Sequence, residues 1–168
     1  MWYQKNHPFV TYIDKRRGDF SFTHKRNGIR RQVVKINPDV QADWTKELPF
    51  EAGQFDMVVF DPPHIIRKKE NKISFLQHQY GVFTPENYKS ELRKGIKELF
   101  RILKEDGTLI FKWCDLDRPV EEIIKLFPYP PLFGSRTGQR NNVHWIVFIK
   151  HRIDADLDRY TSEGEKEI

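Results

Sequence analysis

A short apolar strand, closed by an acid and two prolines, constrains this chain more than any other segment. Residues 55–60, FDMVVF, are rich in the aromatic and β-branched side chains that favour strands, and Asp61-Pro62-Pro63-His64 follows directly. Proline lacks an N–H and fixes φ, so the strand has to end there. The apolar run 57–60 predicts an interior parallel strand. Its carboxyl end presents Asp61 at the edge where open α/β sheets bind ligands.

The remaining segments predict an α/β fold with a mostly parallel sheet and an antiparallel hairpin at its C-terminal end. Residues 9–14, 31–36 and 40–44 have the character of short strands. Thr84-Pro85 predicts a helix start, because Thr can cap the helix and Pro suits its first position, and apolar side chains follow at steps of three and four. Further predicted elements are a strand at 108–113, a short helix at 119–126, a flexible cationic loop at 134–140 and a strand at 143–149.

The charge is unevenly distributed along the 168 residues. The tail, residues 151–168, holds six acids and three bases and has too little apolar content to fold alone. We therefore place one folded domain at residues 1–150. The whole chain carries +5 and the tail −3, so the domain carries +8, which suits a polyanionic partner such as nucleic acid. A basic protein without such a partner is the alternative.

The cysteine and histidine content bears on location and cofactors. Cys114 is the single cysteine, so no intrachain disulfide is possible and a reducing, cytoplasmic compartment is expected. None of the six histidines pairs with another ligand at metal-site spacing, so no metal is expected. No apolar run reaches transmembrane length and no signal peptide is visible, so no membrane partner is expected.

Five segments in fixed order carry a resemblance to a known family. They are INPDVQADW at 36–44, FDMVVFDPPH at 55–64, FKW at 111–113, LFG at 132–134 and HWIVF at 144–148. Together they resemble class I methyltransferases that use S-adenosylmethionine (SAM), in particular the short enzymes encoded by phages and prophages. The resemblance runs from residue 1 to about residue 150. It implies a Rossmann-like sheet, SAM as the cofactor and methyl transfer as the activity.

The resemblance implies that acids after three strands surround the cofactor. Asp14 would accept hydrogen bonds from the ribose hydroxyls, as acids do in dinucleotide-binding folds. Asp43 would accept the adenine amine, Trp44 would pack on the adenine face, and Asp61 would border both cofactor and target. An exposed strand-end acid is the alternative for Asp14, and a core aromatic side chain is the alternative for Trp44.

The DPPH turn carries the chemistry that the resemblance implies. An exocyclic aromatic amine is a poor nucleophile, because its lone pair is delocalised into the ring. The Asp61 carboxylate and the Pro62 carbonyl can each accept one N–H, which orients the nitrogen toward a methyl donor. Pro63 stiffens the turn. His64 stands where the family usually has an aromatic residue that stacks on the target base, and it could also take up a proton.

A basic cluster follows the DPPH turn. Arg67, Lys68, Lys69 and Lys72 come after it directly, and Arg136 and Arg140 lie in the predicted cationic loop. These side chains are expected to frame the site for phosphates. A solvated loop without a ligand is the alternative interpretation.

The chain departs from the family pattern at its start. The family begins with a strand and a glycine-rich turn that wraps the cofactor, and only residues 1–8 precede the first predicted strand. The resemblance therefore implies that this strand is missing between the Asp14 strand and the Asp61 strand. Three explanations remain open: the true start of the chain lies upstream, the gene is truncated, or another segment of the chain fills the gap. A truncated chain is expected to bind SAM weakly or not at all.

The expected function is SAM-dependent methylation of an exocyclic amine, in adenine or cytosine of DNA, with DNA preferred to RNA as the partner. With no space for a target-recognition domain, sequence specificity is expected to be low or to come from a protein partner. An RNA or small-molecule methyltransferase is one alternative. A non-catalytic remnant that binds nucleic acid is the other.

Overall fold

The computed structural model describes residue 4 and residues 6–25, 29–67, 81–137 and 142–151. The protein is an α/β protein with a mixed sheet. Arg140, Lys68, Lys69, Lys72 and the tail predicted at 151–168, except His151, lie outside the described residues.

A four-stranded sheet forms the centre of the fold, with strand order β5-β6-β8-β7. Its strands are β5 (Phe55–Phe60), β6 (Leu103–Cys114), β7 (Phe133–Thr137) and β8 (Val143–Ile149). β5 and β6 run parallel, whereas β8 is antiparallel to both β6 and β7. The sheet is therefore mixed rather than mostly parallel. The connection from β7 to β8 is too short for a parallel crossover, which needs a dozen or more residues.

The N-terminal part forms two smaller sheets. β1 (Ile13–Asp14) and β4 (Val40–Gln41) are a short parallel pair, and β2 (Gly18–Lys25) and β3 (Ile29–Ile36) are an antiparallel hairpin. The first strand is shorter than predicted from residues 9–14. β2 was not predicted, because charged residues obscured the alternation of Phe20 and Phe22 with polar side chains.

Two helices follow β5 and β6. Helix α1 (Tyr88–Ile102) buries the predicted stripe, which includes Leu92, Ile96 and Leu99. It begins later than the predicted Thr84 start, because Asn87 Oδ1 accepts the Thr84 N–H at 2.8 Å and closes a turn ahead of the helix. Helix α2 (Val120–Ile124) is shorter than predicted. No helix in the described ranges is long and apolar enough to cross a membrane.

Both helices contribute to a core on one face of the central sheet. Leu109, Phe111 and Trp113 of β6 are completely buried there. Phe127, after α2, stacks on Phe148 of β8 with ring centroids 4.1 Å apart. Since opposite residues of a ladder share a face, this face also carries Ile146, which pairs with Phe111.

β5 lies at one edge of the four-stranded sheet, which corrects the prediction of an interior strand. Its Met57 side chain is 56% exposed. The apolar run 57–60 predicted two covered faces, and the exposure of Met57 shows that one of them is open at that position. An apolar pattern also does not specify how many neighbours a strand has along its edges. In the described part of the chain, no strand pairs with β5 on the side opposite β6.

Trp44 joins the β4 segment to the core. Its ring lies against Phe60 with centroids 5.0 Å apart, in an edge-to-face arrangement, and against Gly95 of α1. A Cβ at position 95 would overlap the Cε3 and Cζ3 atoms of that ring. The helix therefore uses glycine at a cost in propensity so that the indole can approach its backbone.

We expect Gly95→Ala to lower the free energy of unfolding by up to about 2 kcal/mol. Overpacking against a rigid ring costs about 1–3 kcal/mol, and the better helix propensity of alanine offsets about 1 kcal/mol of that. Urea unfolding measures the change. Lys97→Ala, an exposed position on the same helix, is the control and should shift stability by less than about 0.5 kcal/mol. An increase in stability for Gly95→Ala would show that the indole does not need this space.

Candidate active site

Asp61 and Lys112 form an ion pair at the carboxyl end of the two parallel strands. Asp61 follows β5, and Lys112 lies one residue beyond the Phe60–Phe111 pair of the β5–β6 ladder. Lys112 Nζ donates to Asp61 Oδ2 at 2.9 Å, and the two side chains are 22% and 21% exposed. Within the described residues, Asp61 Oδ1 accepts no hydrogen bond. One carboxylate oxygen therefore fixes the orientation of the group while the other is available.

Lys112 is held from a second side by an aromatic ring. Trp145 is its opposite residue on β8, and Lys112 Nζ lies 5.8 Å from the centroid of the Trp145 ring. A cation at this distance from an indole is attracted by the negative face of the ring. The register of three strands thus places the ammonium group beside Asp61.

The DPPH turn is packed against a glycine after residue 80. Gly81 has φ +85°, and a Cβ there would lie 2.9 Å from Pro63 Cγ. Nearby, Phe83 N–H donates to Ile65 O and Arg67 N–H donates to Phe83 O, both at 2.9 Å. The chain segments on either side of residues 68–80 are therefore fastened together beside the turn. The Pro62 carbonyl accepts no hydrogen bond among the described residues.

His64 is partly buried and close to Asp61 and Lys112. Burial lowers the pKa of His64, because it disfavours the charged imidazolium; Asp61 opposes this effect and Lys112 adds to it. The ring is therefore uncharged near neutral pH. That state suits stacking on a flat ligand better than it suits proton uptake.

Arg67 forms an ion pair with Asp117 in the loop after β6. Arg67 Nη1 contacts Asp117 Oδ1, and the Ile66 N–H donates to Asp117 Oδ2 at 2.8 Å. Burial acts to raise the pKa of Asp117, but the hydrogen bonds from Arg67 and Ile66 outweigh burial and hold it below its usual value. A phosphate at Arg67 would have to compete with this carboxylate.

The acids predicted to hold the cofactor lie at the ends of β1 and β4. Asp14 accepts Arg16 Nε at 3.0 Å and Nη2 at 2.8 Å, so both of its oxygens are engaged. Asp43 Oδ1 accepts the Thr45 N–H at 3.0 Å and the Thr45 hydroxyl at 2.8 Å. Burial acts to raise the pKa of Asp43, but these hydrogen bonds prevail and lower it. Asp43 Oδ2 accepts nothing within the described ranges.

The structure brings some of the predicted site residues together and separates others. The contact between Trp44 and Phe60 places the segment after β4 beside the end of β5. Trp44 packs in the core as well as bordering this region. Arg136 lies on strand β7 rather than in a loop, at the edge of the sheet opposite β5, with Nη2 3.7 Å from Glu121 Oε1.

The sequence analysis missed four polar residues that lie near the carboxyl ends of β5 and β6: Lys112, Asp115, Asp117 and His144. Asp115 and Asp117 follow β6 just as Asp61 follows β5, so the same strand-end signal was available for them. Asp115 Oδ2 and His144 Nε2 lie 2.6 Å apart, although the two residues are separated by 29 positions in the sequence. No local sequence signal could predict this contact.

The described residues contain no group of three or more histidine, cysteine, aspartate or glutamate side chains that could hold a metal ion. In comparisons with known proteins, no family model matches the chain. A comparison with curated proteins likewise finds no significant match.

We expect His64 to make stability fall as the pH decreases from about 7 to about 5.5. The folded pKa of His64 is lowered, so the unfolded state takes up a proton first, near its ordinary pKa of about 6.5. The contribution is complete above that value and is lost as the pH falls through it. The contributions of Asp43 and Asp117 to stability are lost at lower pH, because the ordinary pKa of aspartate is about 3.9.

Denaturant unfolding of the wild type and of His64→Asn at both pH values measures this effect. The wild type should lose more stability than the variant over the interval. Equal losses in the two proteins would contradict the assignment to His64.

Proposed function

We propose that this protein is a SAM-dependent methyltransferase that acts on an exocyclic amine, in adenine or cytosine of DNA. The observation that carries the proposal is the arrangement of Asp61 and Pro62. The carboxylate oxygen Oδ1 and the Pro62 carbonyl are two acceptors on adjacent residues, and neither has a hydrogen-bond partner within the described residues. An amino group with two N–H bonds matches two such acceptors.

The geometry supports a positioning role for Asp61. Lys112 holds Oδ2 at 2.9 Å, so the carboxylate does not need to reorganise when an amine donates to Oδ1. Two accepted N–H bonds fix the amine and favour a more tetrahedral nitrogen with an available lone pair. The half-buried His64 supplies a flat, uncharged ring next to the same turn. SAM, when bound, supplies an electrophilic sulfonium methyl group.

The fit to SAM is best at Asp43. Its Oδ2 atom has no partner among the described residues and can accept the adenine amine, and Trp44 beside it has an aromatic face that the core covers only in part. Asp14 fits the ribose hydroxyls only if it gives up its paired contacts with Arg16. In the described ranges no strand pairs with β5 on the side opposite β6, which is the side where the resemblance places the strand that carries the cofactor loop.

A second candidate function follows from Asp14. Arg16 engages both oxygens of this carboxylate, which favours a domain without the cofactor, and the +8 charge of the domain favours nucleic acid as its ligand. Calorimetric titration with SAM separates the two functions. Measurable binding that strengthens in Arg16→Gln favours the methyltransferase, and no binding in either protein favours the binding domain.

We expect Asp61→Asn to reduce methyl transfer at least 100-fold with little change in SAM affinity, since one oriented acceptor is worth about 2.7–4 kcal/mol in a preorganised site. Transfer of a labelled methyl group to duplex DNA, to RNA and to free nucleosides measures the activity and identifies the substrate class. Asp56→Asn is the matched control, because Asp56 lies on the same strand with an 84% exposed side chain. Near wild-type turnover in Asp61→Asn would contradict the proposal.

We expect DNA binding to weaken steeply with salt. The domain carries +8, and each phosphate contact contributes about −0.9 to the slope of log K against log salt concentration. Replacing Lys68 and Lys69 by glutamine should make the slope shallower by up to about 2. Replacing Arg93 and Lys97, exposed on α1, removes the same charge and should change the slope less. Equal effects of the two double variants would show that residues 68–69 do not contact the phosphates.

A further inference from the structure

A cleft lies between α2 and the β7–β8 hairpin, apart from the Asp61 turn. Its volume is about 290 Å³, which is near the lower end for sites that bind small molecules. Val120 and Ile124 of α2, together with Pro131 and Ile146, form its apolar walls. His144 is its most buried polar side chain, with 5% of its surface exposed.

The partner of His144 determines what the ring offers to the cleft. His144 Nε2 lies 2.6 Å from Asp115 Oδ2. A carboxylate only accepts hydrogen bonds, so in the neutral form of the ring the single hydrogen lies on Nε2 and Nδ1 is the acceptor. In the part of the chain that the structure describes, Nδ1 has no partner. Among the described residues, Nδ1 is not one of the fully buried side-chain atoms without a partner, so water or a ligand can reach it.

Asp115 provides an independent indication that the pair has more than a packing role. Its Oδ1 atom is buried and has no hydrogen-bond partner among the residues that the structure describes. A buried, unsatisfied carboxylate oxygen is unusual, because desolvation of that atom is not compensated. An apolar pair of similar size would fill the same space without this cost. The dyad fixes one tautomer of the neutral ring in a residue that lines the cleft.

The rim of the cleft carries one cation and one anion. Arg136 is directly opposite His144 in the β7–β8 ladder, so both side chains lie on the same face of the sheet. Arg136 Nη2 is 3.7 Å from Glu121 Oε1, and these side chains are 65% and 64% exposed. A guanidinium group with five N–H donors can bind a carbonyl while it remains near Glu121.

We propose that this cleft binds a flat ring that carries an amide N–H beside a carbonyl, the group shared by uracil, thymine and guanine. The N–H donates to His144 Nδ1, Arg136 donates to the neighbouring carbonyl, and the apolar walls cover the ring faces. The cleft volume admits one such ring. This site is distinct from the Asp61 turn and does not rest on methyl transfer.

Nuclear magnetic resonance with ¹⁵N-labelled histidine tests the contact directly. Uridine should shift the Nδ1 resonance of His144, and 3-methyluridine, which lacks the N3–H, should not. Oligothymidylate that produces the same shift at lower concentration identifies nucleic acid as the source of the ring. If oligothymidylate and uridine bind with equal affinity per base, the ligand is a free nucleoside. An unmoved Nδ1 resonance, or equal shifts with both nucleosides, overturns the proposal.

Calorimetric titration with uridine provides a second measurement that does not depend on altering the buried dyad. Arg136→Gln should weaken binding about tenfold, because it removes a charge-assisted hydrogen bond. Arg93→Gln makes the same change at an exposed position of α1 and should leave the affinity unaltered. Equal affinities of the two variants, or no binding by the wild type at millimolar uridine, overturns the proposal.

Discussion

The pairing of β6 with both of its neighbours is the interaction on which the rest of the structure depends. β6 is hydrogen-bonded to β5 in parallel and to β8 in antiparallel register. Leu109, Phe111 and Trp113, on the face that the helices cover, are completely buried. Because side chains alternate along a strand, that burial directs Lys112 to the opposite face. A slip of one residue would exchange the two sets and remove Lys112 from Asp61.

The same register explains why polar groups lie together where β5 and β6 end. Asp61 follows β5, Asp115 follows β6, and His144 lies near the start of β8, which runs in the opposite direction. Each of these groups is partnered by a residue from another strand: Asp61 by Lys112, and Asp115 by His144. The strand ends thus hold two separately oriented polar pairs. The first supports the proposed methyl transfer, and the second supports the proposed binding cleft.

The segments around the DPPH turn are stabilised by local backbone contacts as well as by side chains. The paired backbone hydrogen bonds between Ile65, Arg67 and Phe83 join the segment that follows the DPPH turn to the segment that precedes α1. Asp117 adds hydrogen bonds from Arg67 and Ile66, which link the loop after β6 to the same region. A rigid frame of this kind limits how far Pro62 and Asp61 can move, which is what a positioning role requires.

The sequence by itself determined the α/β class, the strand that ends at the DPPH turn, the buried stripe of α1 and the position of β8. These features have local causes: proline ends a strand, apolar residues repeat with the helix period, and seven successive residues favour a strand. The tertiary structure decided that β5 lies at an edge, that β7 is a strand, and that Lys112 and His144 join acids far away in the chain. Such facts depend on strand order and register. These follow from which surfaces pack best together, and no short stretch of sequence contains that information.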